Sequence, residues 1–161
     1  MANRRPLTGE PLSAAGASII PLRRADLAQL EALLQDNHLP TEDCAEQAQH
    51  YCASYAGDEL IAAGAIEPVA QCGLLRSVVV REDYRGRGLA RRITTHLVDQ
   101  ARDEGRVAIY LLTETAQTYF ADRGFLPMAR DDVPKEVSLT RQFASLCPDS
   151  ACCMYLPLQG G

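Results

Sequence analysis

The sequence has no lysine-rich block, and its formal net charge is −5. That balance argues against a protein whose main partner is nucleic acid. The first 16 residues are polar, carry proline and glycine, and hold no apolar core of a secretory signal. No apolar run is long enough to span a bilayer. Without a secretory signal, the six cysteines (Cys44, Cys52, Cys72, Cys147, Cys152 and Cys153) read as reduced thiols rather than a disulfide framework. The C-x4-C-C arrangement of Cys147, Cys152 and Cys153 is a poor zinc spacing with no histidine nearby, so inert buried thiols are expected and no metal site. His38, His50 and His96 are isolated from one another. No internal repeat or low-complexity tract appears. These absences together predict a cytoplasmic protein with neither a membrane nor a nucleic-acid partner.

What the chain does have is one domain's length, 161 residues, and an ordinary hydrophobic share of 47%. Residues 1–16 read as a flexible lead and 17–161 as a single domain. The organising stretch is 74–90, LLRSVVVREDYRGRGLA. Val78, Val79 and Val80 form the β-branched run of a buried strand. A polar turn carries Arg85, Gly86, Arg87 and Gly88. Leu89, Ile93, Leu97 and Ala101 then recur every four residues, as on one face of a helix.

A strand, a glycine turn and a helix can bind an anion. The glycines let backbone come close to a ligand, and the first helical turn offers unpartnered N–H groups and partial positive charge. Arg81, Arg85, Arg87, Arg91 and Arg92 make a basic patch around that turn. The plain alternative is that the glycines only shape the turn and the arginines only solvate a helix face. Neither common nucleotide loop is present: there is no G-x-x-x-x-G-K-[ST], and Gly86-x-Gly88 lacks the third glycine of G-x-G-x-x-G.

Around this unit the remaining elements read in order. A short strand at 18–22 leads to a helix opened by Asp26, with Leu27, Leu30, Leu33 and Leu34 on its apolar face. A second short helix starts at Thr41, with Glu42 and Asp43 in its first turn. Strands follow at 51–56 and 59–67, joined at Gly57-Asp58. Cys72-Gly73 reads as the link into the central strand, 74–80. After the long helix stops at Gly105 come a strand at 107–112, a short helix at 115–123 ending at Gly124, and a strand at 125–129. Pro134 opens another helix, and 150–156 is the last strand. The expected class is α+β with a mixed sheet.

Arg85-x-x-Gly88-x-Ala90 after a strand resembles the coenzyme A loop of the GNAT (GCN5-related) N-acetyltransferases. The segment 113–125, with Tyr119-Phe120 and Gly124-Phe125, is similar to the family's short helix near the acetyl end of the cofactor. With Leu111-Leu112-Thr113 ahead of it, the segment looks like the acetyltransferase domain of N-acetylglutamate synthases. LLRSV at 74–78 and the tail Arg130-Asp131-Asp132-Val133-Pro134 to Ala151 resemble the branch encoded beside arsenic-resistance genes.

The resemblance implies a GNAT fold: a mostly antiparallel sheet whose central strands splay apart, flanked by helices. It implies acetyl-CoA as co-substrate, held by Val78, Val79, Val80, Arg85, Gly86, Arg87, Gly88, Leu89, Ala90, Thr115 and Phe120. A backbone N–H near Val79 or Val80 is the expected partner of the acetyl carbonyl. The implied activity is N-acetylation of a small primary amine, amino-acid-like: glutamate, or an organoarsenical analogue of it. Acetylation of a protein N-terminus or lysine, and a non-catalytic coenzyme A sensor, stay open, as does a homodimer.

Two departures bear on catalysis. Many family members carry a tyrosine four residues before the glycine; Phe120 stands there, and Tyr119 lies about 100° away on a helix. Many have a glutamate on the central strand where this chain has Arg76, which cannot act as a base. A buried arginine needs a partner. One reading is a salt bridge to Glu67 on the neighbouring strand. The other sets Arg76 against an acceptor carboxylate and Glu67 against the amine. Strand alternation puts Arg76 on the same face as Val78 and Val80. Glu67, Arg76 and Tyr119 are thus the candidate catalytic residues.

Overall fold

A computed structural model describes residues 17–158. The expected lead, residues 1–16, lies outside the described residues.

Seven strands form one sheet: β1 (Ile20–Pro21), β2 (Tyr51–Ala56), β3 (Glu59–Val69), β4 (Cys72–Val80), β5 (Ala108–Thr113), β6 (Leu126–Pro127) and β7 (Cys152–Pro157). Their order is β1-β2-β3-β4-β5-β7-β6. Every neighbouring pair is antiparallel except β4 and β5. The helices are α1 (Leu27–Asp36), α2 (Cys44–Gln47), α3 (Leu89–Asp103), α4 (Gln117–Ala121) and α5 (Lys135–Ser138). This is the expected α+β class, and no helix among the described residues is long and apolar enough to cross a membrane.

Several boundaries differ from the sequence reading, and two of them have a clear physical reason. Cys72 and Gly73 belong to β4 and pair with Val69 and Pro68, so the β3–β4 reversal falls at Ala70 and Gln71. Ala70 takes the left-handed φ of +52° that the turn requires. The strand expected at 125–129 shrinks to Leu126–Pro127, because Phe125 turns into the core, 2% exposed.

The sheet buries both faces. On one, the four-residue repeat of α3 sends Leu89, Ile93, Leu97 and Ala101 against Leu75 and Val80. Each fully buried leucine or isoleucine of this set contributes about 1.5–3 kcal/mol. Gly64 of β3 makes the contact possible: a Cβ there would lie 2.7 Å from Ile93 Cγ2. On the other face, Leu30, Leu33 and Leu34 of α1 cover Ala63, Ala65 and Val79. Further along that layer, α5 and the segment after it bring Val137 and Phe143 against Leu74 and Tyr110.

One irregularity in β4 changes which layer its side chains enter. Ala65 pairs with Arg76 and Ala63 with Val79, so Gly64 alone faces both Ser77 and Val78. Ser77 is the extra residue of a β-bulge, and its φ is +59°. The bulge shifts the alternation by one. Arg76 therefore shares the α1 face with Val79, while Val78 and Val80 pack on the α3 side. The expectation that Arg76 lies on the same face as Val78 and Val80 is corrected: strict two-residue alternation fails across an inserted residue.

Burial also sets an alkaline limit on stability. It pushes the Cys52 thiol up from 9.0 to about 12 and the Tyr51 phenol up from 10.0 to about 12. Both groups hold their protons more tightly folded than unfolded. The stability they lend is complete below about pH 9 and is lost as pH rises towards 12. Thermal melts should show a level Tm from neutrality to about pH 9 and a fall above it. An unchanged Tm at roughly pH 11 would contradict this account.

Candidate active site

The site begins where β4 and β5 part. Their parallel ladder is limited to Gly73 with Ile109 and Leu74 with Tyr110. Beyond Leu74, β4 has no strand partner on its β5 side, and the row of backbone groups there faces open space. Unpaired backbone polar groups are costly when buried, so a cleft lined by them favours a ligand with polar atoms along its length. Ser77 kinks the strand at this point, and Ser77 and Val78 line a cavity of about 460 Å³ between the parted strands. Leu111, Leu112 and Thr113 of β5 form the opposite wall, and Thr115 and Phe120 close one end.

A second cavity, of about 540 Å³, continues from the first past Val78, Val79 and Val80 to the glycine turn. Gly88 caps α3 with a φ of +82°, and no described residue lies within 4 Å of where its Cβ would stand. The start of a 15-residue helix therefore opens onto an empty cradle. Its unpartnered N–H groups and dipole suit an anion there. Arg85 and Arg91 line this cavity, whereas Arg81 is tied to Glu59 at 2.7 Å and to Asp83 at 2.8 Å. Arg85 crosses the cleft to donate to Asn37 Oδ1 at 2.5 Å. Asn37 in turn donates from Nδ2 to the Leu33 carbonyl, at 2.9 Å. One side chain thus joins the glycine turn to the end of α1, and Asn37 borders all three cavities of the cleft.

The helix α4 supplies the aromatic floor. Phe120 is 8% exposed and packs edge-on against Phe125, with ring centres 5.5 Å apart. Tyr119 lies at the junction of the two cavities, under the guanidinium of Arg123 at 3.6 Å. Its hydroxyl is sequestered and makes no hydrogen bond with any described residue.

The third cavity, about 580 Å³, extends the cleft away from the glycine turn. The segment after α1 (His38, Leu39, Glu42), the end of β5 with Glu114, and Cys147 line it. Burial pushes the Cys147 thiol up, and it donates to Gln142 Oε1 at 3.1 Å, so it presents a neutral group.

Behind the wall shared by these cavities lies Arg76, whose side chain has no exposed surface. Its Nη1 donates to Asp43 Oδ2 at 2.8 Å and to Glu67 Oε1 at 2.9 Å. Its Nη2 donates to Asp43 Oδ1. Asp43 is 1% exposed; Glu67 keeps 16% of its side chain in solvent. Of the two readings open for Arg76, the geometry carries the ion pair with Glu67 and adds a second carboxylate. The pairing outweighs the cost of burial, so the guanidinium is held charged more firmly than in water.

Most of the sequence-predicted residues converge on the cleft. Val78, Val79, Val80, Arg85, Gly86, Gly88, Leu89 and Ala90 line the glycine-turn cavity, and Thr115, Phe120, Tyr119 and Arg76 line the one between the strands. Arg87 lines none of the three; it lies over the Tyr84 ring and donates to the Asp83 carbonyl. Glu67 lines none of them either. Sequence reasoning missed Asn37, Ser77 and the role of Asp43. Asp43 carries a visible signal, a carboxylate at a helix start, but that signal fits an ordinary first-turn residue equally well.

Comparison with known proteins agrees with this geometry. Residues 19–125 match the profile of the Acetyltransferase (GNAT) family. An amino-acid acetyltransferase of Ectopseudomonas mendocina is 31% identical over 77 residues, 47% of this chain and 18% of that protein. The chain thus spans less than a fifth of the curated relatives it matches. Among solved structures, N-acetylglutamate synthase from Neisseria gonorrhoeae, complexed with coenzyme A and N-acetyl-glutamate, superposes with a TM-score of 0.77 at 19% identity. It covers 89% of this chain and 35% of that one. Rv2747 from Mycobacterium tuberculosis, in complex with CoA, gives 0.75 at 20% identity, covering 88% and 99%. At these identities the likeness is one of fold.

Proposed function

We propose that this chain, which belongs to the Acetyltransferase (GNAT) family, transfers an acetyl group from acetyl-CoA to the primary amine of a small, amino-acid-sized acceptor. The observation that carries the reading is the splay of β4 from β5, running without a break from the Gly88 cradle to the Thr115 end. The similarity to amino-acid acetyltransferases supports the size class of the acceptor.

The residues present fit the cofactor. Backbone amides of 85–90 and the start of α3 would hold its pyrophosphate, with Arg85 and Arg91 beside them. The open edge of β4 from Ser77 to Val80 would hold its amide-bearing arm and the acetyl carbonyl. Acetyl-CoA supplies an activated thioester carbonyl. The chain supplies position: the amine nitrogen bonds to that carbon as the carbon–sulfur bond breaks, and the starting ammonium loses two protons, one to solvent and one to the departing sulfur, keeping the third as the amide N–H. Asp43, Arg76 and Glu67 are in this reading a positioning group, fixing the acceptor-side wall to β4 just before the bulge.

A free-thiol assay with acetyl-CoA and a panel of small amines tests the reading. Thiol release that requires an amine is expected. Tight coenzyme A binding with no release on any amine would overturn it in favour of a cofactor sensor.

The same assay addresses the acid. Tyr119 is a half-buried packing residue whose hydroxyl hydrogen-bonds to no described residue, and Phe120 stands at the family position. Tyr119→Phe should therefore keep most of its turnover. A loss of about a hundredfold, the low end for a missing general acid, would instead identify Tyr119 as the proton donor.

A further inference from the structure

We infer, on the acetyltransferase reading above, that the bond between Arg85 and Asn37 is a latch across the cofactor's path, which Arg85 leaves for the diphosphate of coenzyme A. Asn37 is then a positioning residue. It acts on the cofactor through Arg85 and sets how tightly the cofactor is held.

The latch is fixed at both ends. Arg85 Nη2 donates to Asn37 Oδ1 at 2.5 Å, and its Nε donates to the Val80 carbonyl at 3.3 Å. Asn37 is anchored in turn by its bond to the Leu33 carbonyl. The turn that ends α1 is closed by two backbone bonds, His38 N–H to the Gln35 carbonyl at 3.0 Å and Leu39 N–H to the Leu34 carbonyl at 2.9 Å. His38 takes a left-handed φ of +60° there. Asn37, Val80 and Arg85 all line the cavity that runs to the Gly88 cradle. The latch therefore spans the stretch of β4 along which the cofactor's arm would run, and it occupies the Val80 carbonyl.

Its chemistry lets it open. Arg76 and Arg81 each meet two carboxylates. Arg85 meets two neutral oxygens, and no carboxylate among the described residues pairs with it. A diphosphate in the same cavity offers a guanidinium ionised oxygens and a bidentate geometry, which a carbonyl and an amide oxygen do not match. Arg85 gives up its bond to Asn37 in the exchange, and coenzyme A binds more weakly by what that bond was worth. The sign of the effect is diagnostic. A residue that touched the cofactor would weaken binding when truncated; removing Asn37 should strengthen it.

Titration calorimetry with coenzyme A on the full chain tests this. Asn37→Ala should bind about three- to tenfold tighter than the parent, the worth of one hydrogen bond made in competition with water. Asn37→Asp turns the latch into an ion pair and should bind several-fold more weakly. In an Arg85→Met background Asn37→Ala should change nothing, because no latch is left to remove. Dephospho-coenzyme A, which keeps the diphosphate and lacks the ribose phosphate, should show the same gain. Unchanged or weaker affinity in Asn37→Ala would overturn the inference, as would an equal gain in the Arg85→Met background. A gain that vanished with dephospho-coenzyme A would also overturn it, since Arg85 would then be answering the ribose phosphate. Each of these failures leaves the acetyltransferase reading intact, whereas a parent chain that binds no coenzyme A would remove both.

Discussion

Arg76→Gln is expected to lower stability by about 3–5 kcal/mol, because it leaves a buried carboxylate without its counter-charge. In a chain of this size that corresponds to a fall in Tm of roughly 10 °C. The reason is asymmetry of burial. Asp43 is 1% exposed and receives two hydrogen bonds from the guanidinium. Glutamine can offer one neutral donor group and no charge. Glu67, partly in solvent, can recruit water; Asp43 cannot. Removing both buried partners should be milder than removing one. The double variant R76M/D43L replaces the pair by apolar side chains and should recover much of the loss. Urea unfolding of the three proteins would measure this. An Arg76→Gln protein within about 1 kcal/mol of the parent would show that the ion pair does not hold α2 to the sheet.

Gly88→Val should abolish measurable coenzyme A binding while the chain still folds. Two effects add. A β-branched residue at a φ of +82° is strained by about 1–3 kcal/mol. Its side chain would also occupy the open cradle at the start of α3, where no described residue comes within 4 Å. Blocking two charge-assisted hydrogen bonds there, at about 1.5–3 kcal/mol each, predicts at least a hundredfold weaker affinity. Calorimetry with coenzyme A reads this directly, and circular dichroism checks the fold. Affinity within about threefold of the parent would place the pyrophosphate elsewhere.

The parts of this protein that could be read from sequence are those governed by local rules. The glycine turn, the four-residue repeat of α3 and the valine run each lie within a few residues, and each appears where expected. The face of Arg76 could not be read, since one inserted residue reverses the alternation and serine carries no mark of a left-handed φ. Asp43 was missed for a different reason: its partner lies 33 residues away, and only the packing of α2 on β4 brings them together. Asn37 belongs to no motif, and its place at the centre of the cleft follows from how α1 ends.

The bulge at Ser77 has a further consequence, best seen by imagining the chain one residue shorter. With Ser77 excised, Leu75, Arg76, Val78, Val79 and Val80 would alternate strictly between the α3 and α1 layers, each in the layer it already occupies. The hydrophobic core would register no change. Only the course of the backbone facing β5 would differ, running straight where it now bends. A relative lacking this residue could thus share every packing contact and the same apolar pattern, yet present a flat strand edge to the cofactor. In this fold, a single insertion bends the strand edge that the cleft presents without disturbing the pattern of the core behind it.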